Sequence, residues 1–343
     1  MTQAGKSVPL PRDCTFSEGD WSILSRQWFP IAVAAQVTDG PVAARLLDVE
    51  LVIFRSEGRL VVARDLCPHR GMRLSCGWVD QGQIICPYHG LHFDAEGQCT
   101  SIPSQPGARL SARLSLTVLT CLERFGLVWC TLAGDTEQLP SFAAWDHPDF
   151  QQIVCDPMDG SSSGRQMEGF LDVAHFAWAH TGTFAKRDNP VVPDYTVEST
   201  EGSVRVVYVS SVSNYGKDDQ HRAPADFQWR RTFQVFPPFS ATLIVDYPQD
   251  KQLWILNAAS PISARQTRLF CPVARNFDLD VPVQAVREWN NRVFDEDRIL
   301  VENQKPEDLP LDLSLEISIP ADRTSVAYRR LLKHMGLSLV YAG

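Results

Sequence analysis

The chain has 343 residues, of which 44% are hydrophobic and 21% charged, an ordinary composition for a globular protein of about two domains. Its 41 acidic and 32 basic side chains give a formal net charge of −9, which argues against a nucleic-acid partner held by phosphate neutralisation. The N-terminal sequence contains no apolar signal segment, and no run approaches the ~18 apolar residues of a membrane span. We therefore expect a cytoplasmic protein that does not bind a membrane.

The first part of the chain predicts a small antiparallel β domain. Short β-type segments alternate there with Gly, Pro and Asp, as expected for strands joined by turns. Examples are residues 51–54, 60–63, 83–85 and 126–129. Residues 133–165 are richer in Gly, Pro and Ser, which is typical of a boundary. We place the two domains at residues 1–140 and 141–343.

The second part mixes helices with strands. Ser163 and Gln166 are spaced as a capping box, which predicts a helix from there through about Ala179. Alternating patterns predict strands at residues 204–212, 228–236, 241–247 and 252–260. Apolar residues at helical spacing predict a helix from Val281 to about Asn303, with an inward stripe at positions 283, 286, 289, 293 and 300. Because the two kinds of element are segregated, the predicted fold class is α+β.

Nine cysteines lie at positions 14, 67, 76, 86, 99, 121, 130, 155 and 271. Their number is odd, their spacing is irregular and no export signal precedes them, so we do not expect a disulfide framework. Such thiols are either buried as small apolar side chains or used as metal ligands.

Two nearly identical loops offer a metal site. Cys67-Pro68-His69-Arg70-Gly71 is mirrored by Cys86-Pro87-Tyr88-His89-Gly90, so each loop supplies one thiolate and one imidazole. Structural zinc sites usually take both cysteines from one knuckle and both histidines from another. A [2Fe–2S] centre with cysteines on one iron and histidines on the other suits the mixed loops better. Zinc, or a pair of unrelated β-turns, are the alternatives.

A second set of ligands is spread over two predicted helices. Asp172 and His175 are three residues apart, whereas His175 and His180 are five apart and point about 140° from each other on an ideal helix. They converge only if the helix distorts through a π-turn or ends near His180. On the late helix, Asp297 occupies an inward position and Asp295 points away. Two histidines and one carboxylate form the face that binds non-haem iron. Taken singly, a core histidine or a charged helix end is the plainer interpretation.

Both motifs together resemble the catalytic subunit of Rieske non-haem iron oxygenases over nearly the whole chain. The pattern is similar to that of the vanillate and dicamba O-demethylases. The resemblance implies an N-terminal all-β Rieske [2Fe–2S] domain and a C-terminal antiparallel sheet with helices of the helix-grip, START-like type. Many relatives have Asn three residues before the aspartate that matches Asp172, where this chain has Gly169.

The resemblance also implies roles for individual residues. Asp172 would be a bridge, hydrogen-bonded to His175 and to the cluster histidine of a neighbouring subunit that matches His89. The implied ligands are Cys67, His69, Cys86 and His89 for the cluster, and His175, His180 and Asp297 for the mononuclear iron.

The implied activity is O2 activation at mononuclear Fe(II) with electrons from the cluster, to hydroxylate or O-demethylate a small aromatic compound during its catabolism. Since no dinucleotide-binding G-x-G-x-x-G follows a strand, we expect a separate reductase of the flavin or ferredoxin type that uses NAD(P)H. Homotrimers are usual in such relatives. A ring cis-dihydroxylating dioxygenase, or an electron-transfer iron–sulfur protein without oxygenase activity, are the alternatives. Asn257 and Trp289 are candidates for lining the substrate cavity, although a strand-end hydrogen bonder and a core aromatic would look the same.

Overall fold

The computed structural model describes residues 8–134 and 139–338, and the chain divides into two compact units, residues 1–138 and 139–343. The boundary predicted at residue 140 follows residues 135–138, which lie outside the described residues. Within the described part of the chain, no helix is both long and apolar enough to cross a membrane.

The first unit is built almost entirely of antiparallel strands. One sheet has the order β1-β10-β9-β4-β3-β2, and a smaller one has the order β5-β6-β7-β8. The elements are α1 (Glu18–Leu24), β1 (Phe29–Val33), β2 (Val42–Leu46), β3 (Val49–Ser56), β4 (Arg59–Arg64), β5 (Trp78–Asp80), β6 (Gln83–Ile85), β7 (His92–Phe93), β8 (Cys99–Ser101), β9 (Val118–Arg124) and β10 (Leu127–Thr131). The predicted all-β domain is confirmed.

The second unit is α+β, as predicted. Its antiparallel sheet has the order β11-β19-β17-β16-β15-β14-β13, with β12 and β18 paired beside β17. The strands are β11 (Gln151–Val154), β12 (Met158–Gly160), β13 (Thr196–Ser199), β14 (Val204–Ser210), β15 (Trp229–Phe236), β16 (Ser240–Tyr247), β17 (Lys251–Ser263), β18 (Gln266–Phe270) and β19 (Pro272–Arg275). The helices are α2 (Ser163–Leu171), α3 (Phe176–Ala179), α4 (Val283–Glu302) and α5 (Arg323–His334).

The single helix predicted from Ser163 to Ala179 is wrong, because the chain forms two helices there. Ser162, rather than Ser163, caps α2 by accepting a hydrogen bond from the Arg165 backbone N–H. At Asp172 the backbone becomes extended (φ −73°, ψ 136°), and the Asp172 carboxylate accepts the Ala174 N–H at 2.7 Å. When an aspartate side chain accepts the backbone N–H two residues later, that N–H no longer continues the helical hydrogen-bond pattern, which accounts for the break.

The predicted late helix is present as α4, but its buried stripe differs from the predicted one. Val286, Asn290, Phe294 and Val301 are its buried residues, whereas Leu300, predicted to face inward, is 45% exposed. The first three buried residues, at positions 286, 290 and 294, are spaced by four, whereas the predicted stripe began with positions 283, 286 and 289, spaced by three. Asp297 lies within this stripe and remains inward, because its side chain is only 15% exposed.

Candidate metal centres

The two Cys-Pro loops have the same backbone hydrogen bonds. In the first, the Cys67 N–H donates to the Met72 carbonyl at 2.8 Å and the Gly71 N–H donates to the Cys67 carbonyl at 2.9 Å. In the second, the Cys86 N–H donates to the Leu91 carbonyl and the Gly90 N–H to the Cys86 carbonyl, both at 3.0 Å. Gly71 and Gly90 have φ of 70° and 67°, a conformation in which a side chain is unfavourable. The repeated sequence thus folds into a repeated loop.

The two loops bring their cysteines together and their histidines together. Cys67 and Cys86 are 2% and 1% exposed, and the neighbouring Cys86 adds to burial in raising the pKa of the Cys67 thiol to about 11. The His69 and His89 rings are exposed and lie 4.7 Å apart between centroids. A thiolate pair at the interior and an imidazole pair at the surface match a [2Fe–2S] cluster with one iron for each pair.

A single zinc ion suits these loops less well. One ion would require the donor atoms of all four residues around one point. Among the described residues, the group of three or more donors placed to hold one metal ion is His175, His180 and Asp297, whose ligand atoms lie within 4.8 Å of one another. The loop residues are not part of such a group. The nine cysteines form no disulfide within the described chain.

The second unit brings the three other predicted ligands together. His175 precedes the short helix α3, and His180 follows it and begins a 3₁₀ turn, so the helix ends where the two rings need to converge. Their Nε2 atoms lie 3.0 Å apart, and Asp297 Oδ1 lies 3.3 Å from His175 Nε2 and 3.2 Å from His180 Nε2. Of the two geometries predicted for this segment, the structure has the helix end.

These distances fit a shared ion. Two ligand atoms each about 2.1 Å from a metal and at right angles to one another are about 3.0 Å apart. The other nitrogen of each ring, Nδ1, faces a carboxylate: Asp172 Oδ2 lies 3.5 Å from His175 Nδ1, and Glu296 Oε2 lies 2.9 Å from His180 Nδ1. With the ring protons on Nδ1, both Nε2 lone pairs face the same point, which is unfavourable without a cation.

The electrostatics of the site also favour a cation. Burial lowers the pKa of His175, but hydrogen bonds and charges from Asp172 and Asp297 outweigh it and raise the pKa to about 9. For His180, burial and the charge of His175 together lower the pKa more than Asp297 and Glu296 raise it. The carboxylates therefore create a field in which either a proton or a divalent metal is stabilised.

Glu296 is a functional candidate that the sequence reasoning missed. Besides facing His180, its Oε2 accepts a hydrogen bond from the Thr183 hydroxyl at 2.6 Å. The signal was present: a position next to Asp297, on a helix that passes the ligands, places a second carboxylate beside the site. Asp295, predicted to point away, is exposed and pairs with Arg298 at 3.0 Å.

A cavity adjoins the three ligands. Its walls come from α2, α4 and the inner face of the sheet, and they are mostly apolar. The lining residues are Phe170, Phe176, Phe184, Asn214, Arg231, Phe233, Leu243, Leu253, Ile255, Trp289, Asn290, Val293 and Phe294, together with His175, His180 and Asp297. The cavity volume is about 70 Å³, whereas a cavity of roughly 150 Å³ takes up benzene. An aromatic ring therefore binds only after lining side chains move.

Of the two residues predicted to line this cavity, Trp289 does and Asn257 does not. The Trp289 ring packs over Gly216, where an added Cβ would lie 2.8 Å from the indole. Asn257 is fully buried on β17 and is not among the lining residues, and neither its amide nitrogen nor its oxygen has a protein hydrogen-bond partner in the described chain. Its side chain shares a strand face with Leu253 and Ile255 but lies further along.

Gly169 marks a close approach of α2 to α4. A Cβ at this position would lie 3.0 Å from a Val301 methyl group. An asparagine at this position would therefore need the Val301 side chain to shift by a few tenths of an ångström.

Comparison with known proteins identifies the two domains in which these residues lie. Residues 27–122 match the Rieske [2Fe-2S] domain, and residues 161–337 match the vanillate O-demethylase oxygenase C-terminal domain. The methylxanthine N1-demethylase NdmA of Pseudomonas putida is 30% identical over 318 residues, which cover 90% of this chain and 88% of that protein. The oxygenase component of dicamba O-demethylase from Stenotrophomonas maltophilia is 25% identical over 294 residues, covering 80% and 86%. The solved structure of Pseudomonas putida NdmA with caffeine has a TM-score of 0.80 at 28% identity and covers 92% of each chain.

Proposed function

This chain belongs to the Rieske oxygenases with a vanillate O-demethylase-type catalytic domain, and we propose that His175, His180 and Asp297 hold the iron at which its substrate is hydroxylated. It is the terminal oxygenase of a system that includes a reductase. The observation that carries the proposal is the convergence of two Nε2 atoms and one carboxylate oxygen within 3.3 Å beside an apolar cavity.

When bound, the cluster supplies electrons singly and the iron supplies open coordination positions for O2. The protein provides the orientation of the ligands. Asp172 and Glu296 hold the two imidazoles through Nδ1, so that both Nε2 atoms stay unprotonated and directed at one point. Phe184 stacks on the His180 ring at 4.6 Å, and Phe176 lies edge-on to His175 at 4.9 Å. These rings exclude water from the ligands on the cavity side.

We infer that the reaction is a monooxygenation at a substituent of an aromatic ring. The names of three relatives support this: two methylxanthine demethylases and an O-demethylase of dicamba. Inserting one oxygen atom of O2 into a methyl C–H bond, with two electrons and two protons reducing the other atom to water, gives a hydroxymethyl group. On nitrogen or oxygen this group loses formaldehyde. The ring is thereby demethylated.

We also propose the route of the electrons. Asp172, whose carboxylate lies 3.5 Å from His175 Nδ1, would connect the iron to the cluster of a neighbouring copy through the matching His89. A head-to-tail contact of this kind closes as a ring, and a homotrimer is the expected size. The reductase would be of the flavin or ferredoxin type and would use NAD(P)H. A protein that is strictly monomeric at working concentration would contradict this route.

Metal and sulfide analysis of the purified protein tests the two centres. We expect about three irons and two acid-labile sulfides per chain. Two irons with two sulfides would leave only an electron-transfer protein, and zinc without sulfide would contradict both centres. With a surrogate reductase, caffeine and dicamba are the first substrates to test, by O2 uptake and formaldehyde release.

A further inference from the structure

A buried arginine lines the iron cavity. Arg231 lies on β15, between Tyr208 of β14 and Val245 of β16, and it is 1% exposed. It shares its strand face with Trp229, Phe233 and Val235, which are all buried. An arginine in an inward row of apolar residues places a charge where the sheet otherwise offers only hydrophobic contact.

The protein gives this guanidinium only neutral partners. Nη2 donates to the Val212 carbonyl at 2.9 Å, to the Ser213 carbonyl at 3.4 Å and to the Asn214 side-chain oxygen at 3.2 Å. Nη1 donates to the Ser210 hydroxyl at 3.5 Å, a long contact. Nε makes no hydrogen bond to the described residues. Burial lowers the pKa of Arg231 to about 10, and the groups that partly oppose this are Tyr208 and Tyr247, not carboxylates.

Two other buried arginines of this unit have carboxylate partners. Arg165 lies 2.5 Å from Glu316, and Arg329 lies 2.6 Å from Glu168. Arg275 donates only to neutral acceptors and burial lowers its pKa, but the charges of Asp278 and Asp280 partly oppose that effect. Arg231 has neither a carboxylate partner nor a carboxylate charge that opposes its burial. A buried charge without such compensation is costly.

We propose that Arg231 binds an anionic group of the substrate, so that this oxygenase takes an aromatic carboxylate or sulfonate rather than a neutral ring compound. The Nε–H and the weakly bonded Nη1 remain as donors for the oxygens of such a group, and the positive charge of the guanidinium strengthens these hydrogen bonds. The inference rests on the proposed function, because it assigns a role in substrate binding to the second end of the same cavity.

The wall between Arg231 and the iron ligands fits the rest of such a molecule. The Arg231 guanidinium lies over the Phe176 ring at 5.2 Å, and Phe176 in turn contacts His175 at 4.9 Å between centroids. Phe233, Leu243 and Leu253 complete an apolar surface. A cation, an apolar wall and the proposed metal site in sequence match an aryl anion whose oxidisable group lies at the iron, once lining side chains have moved to admit its ring.

Equilibrium binding to the wild-type holoenzyme is the first test. Calorimetric titrations under anaerobic conditions, with the cluster oxidised, would use benzoate, benzenesulfonate and benzamide, which share one ring and differ in charge. We expect at least one of the anions to bind about tenfold to 100-fold more tightly than benzamide. The better of the two identifies the anion. Benzamide binding as tightly as both anions would overturn the proposal.

Arg231→Gln is the second test, with Arg230→Gln as a matched control. Arg230 is the preceding residue and has an exposed side chain on the opposite face of β15. We expect Arg231→Gln to lose the preference for the anion while benzamide binding stays the same, and Arg230→Gln to behave as wild type. A merely structural role in holding residues 210–214 would weaken all three ligands equally and would refute the assignment, as would a retained preference.

If Arg231→Gln fails to fold, the titrations of the wild-type protein decide whether the proposal holds.

Turnover distinguishes this inference from the proposed function. If 4-methoxybenzamide is demethylated with O2 uptake while 4-methoxybenzoate is neither bound nor oxidised, the anion site is wrong and the oxygenase stands. If no aromatic compound supports O2 uptake in protein that contains both metal centres, the proposed function itself fails.

Discussion

The two ends of the catalytic cavity differ in charge. At one end, three carboxylates surround two histidines: Asp297 between the Nε2 atoms, and Asp172 and Glu296 behind the rings. At the other end, Arg231 is buried among carbonyls, hydroxyls and aromatic rings, with no carboxylate in hydrogen-bond contact in the described chain. Each end has a charge that its own residues leave uncompensated. The iron end therefore requires a cation, and the arginine end favours an anion.

This contrast separates chemistry from recognition. If the negative end holds the metal as proposed, its residues should affect metal content and turnover with any substrate. In the described chain, Arg231 donates no hydrogen bond to the proposed iron ligands, so changes at the positive end should affect the choice of substrate and leave the metals in place. Variants that mix these effects would show that the two ends are not independent.

Asp297→Ala should have the largest effect at the iron end. It removes the oxygen that lies within 3.3 Å of both Nε2 atoms, so we expect the mononuclear iron to be lost and turnover to fall to background. Metal analysis should show about two irons and two sulfides, with the visible spectrum of the Rieske cluster unchanged. Asp295→Ala, on the exposed side of the same helix, is the control. Turnover retained by Asp297→Ala would refute its assignment as a ligand.

Asp172→Asn should separate electron delivery from metal binding. The amide oxygen can still accept the Ala174 N–H, which the aspartate accepts at 2.7 Å, so the break between α2 and α3 is kept. The negative charge beside His175 is lost. We expect all metals to be present and turnover to fall by about 100-fold. In a single turnover, the reduced cluster should fail to reoxidise on addition of O2 and substrate, and normal reoxidation would contradict the bridge.

Local patterns in the sequence pointed to the residues at the iron end. The spacing of His175 and His180 required a helix that distorts or ends there, and the structure has the helix end. The phase of the late helix identified Asp297 as inward although the stripe itself was misplaced. The helix around Asp172 was predicted as continuous. The Asp172 carboxylate accepts the Ala174 N–H in the same non-helical conformation that this hydrogen bond stabilises, so the break could not be inferred from the sequence. Glu296 was missed because a residue beside an inward position is normally half-exposed, and only packing against His180 and Thr183 gives it a function.

The arginine end was not predicted, although part of its signal is in the sequence. Trp229, Arg231, Phe233 and Val235 alternate as the inward face of a strand, and an arginine in that row is anomalous. Which cavity it faces depends on the antiparallel register with β14 and β16. Asn257 shows the converse: a polar residue in an inward row is buried without lining the cavity. Register and depth decide between the two outcomes, and neither can be read from the chain alone.

Glu296→Gln should have a smaller effect than either aspartate variant. The amide oxygen can still accept the hydrogen bonds of both His180 and Thr183, which go to one oxygen of Glu296. It carries no charge, however, so His180 becomes a poorer ligand. We expect the affinity for mononuclear iron to fall by about tenfold, measured by competition with a chelator, while the Rieske spectrum and the preference for anionic ligands stay as in wild type. Glu288→Gln, exposed on the same helix, is the control. A changed ligand preference in Glu296→Gln would mean that the two ends are coupled.

Gly182→Ala should have the smallest effect, and it tests the same carboxylate without altering any polar atom. A Cβ at position 182 would fall on the Glu296 carboxylate, which is the flexible end of a side chain. Glu296 would have to leave its preferred rotamer or its bond to His180, at a cost of about 0.5–1.5 kcal/mol. That corresponds to iron affinity about two- to tenfold lower. In the double variant with Glu296→Ala, the methyl group meets nothing and its effect should disappear. If Gly182→Ala lowers iron affinity equally in both backgrounds, it acts through the backbone, and Glu296 does not position His180.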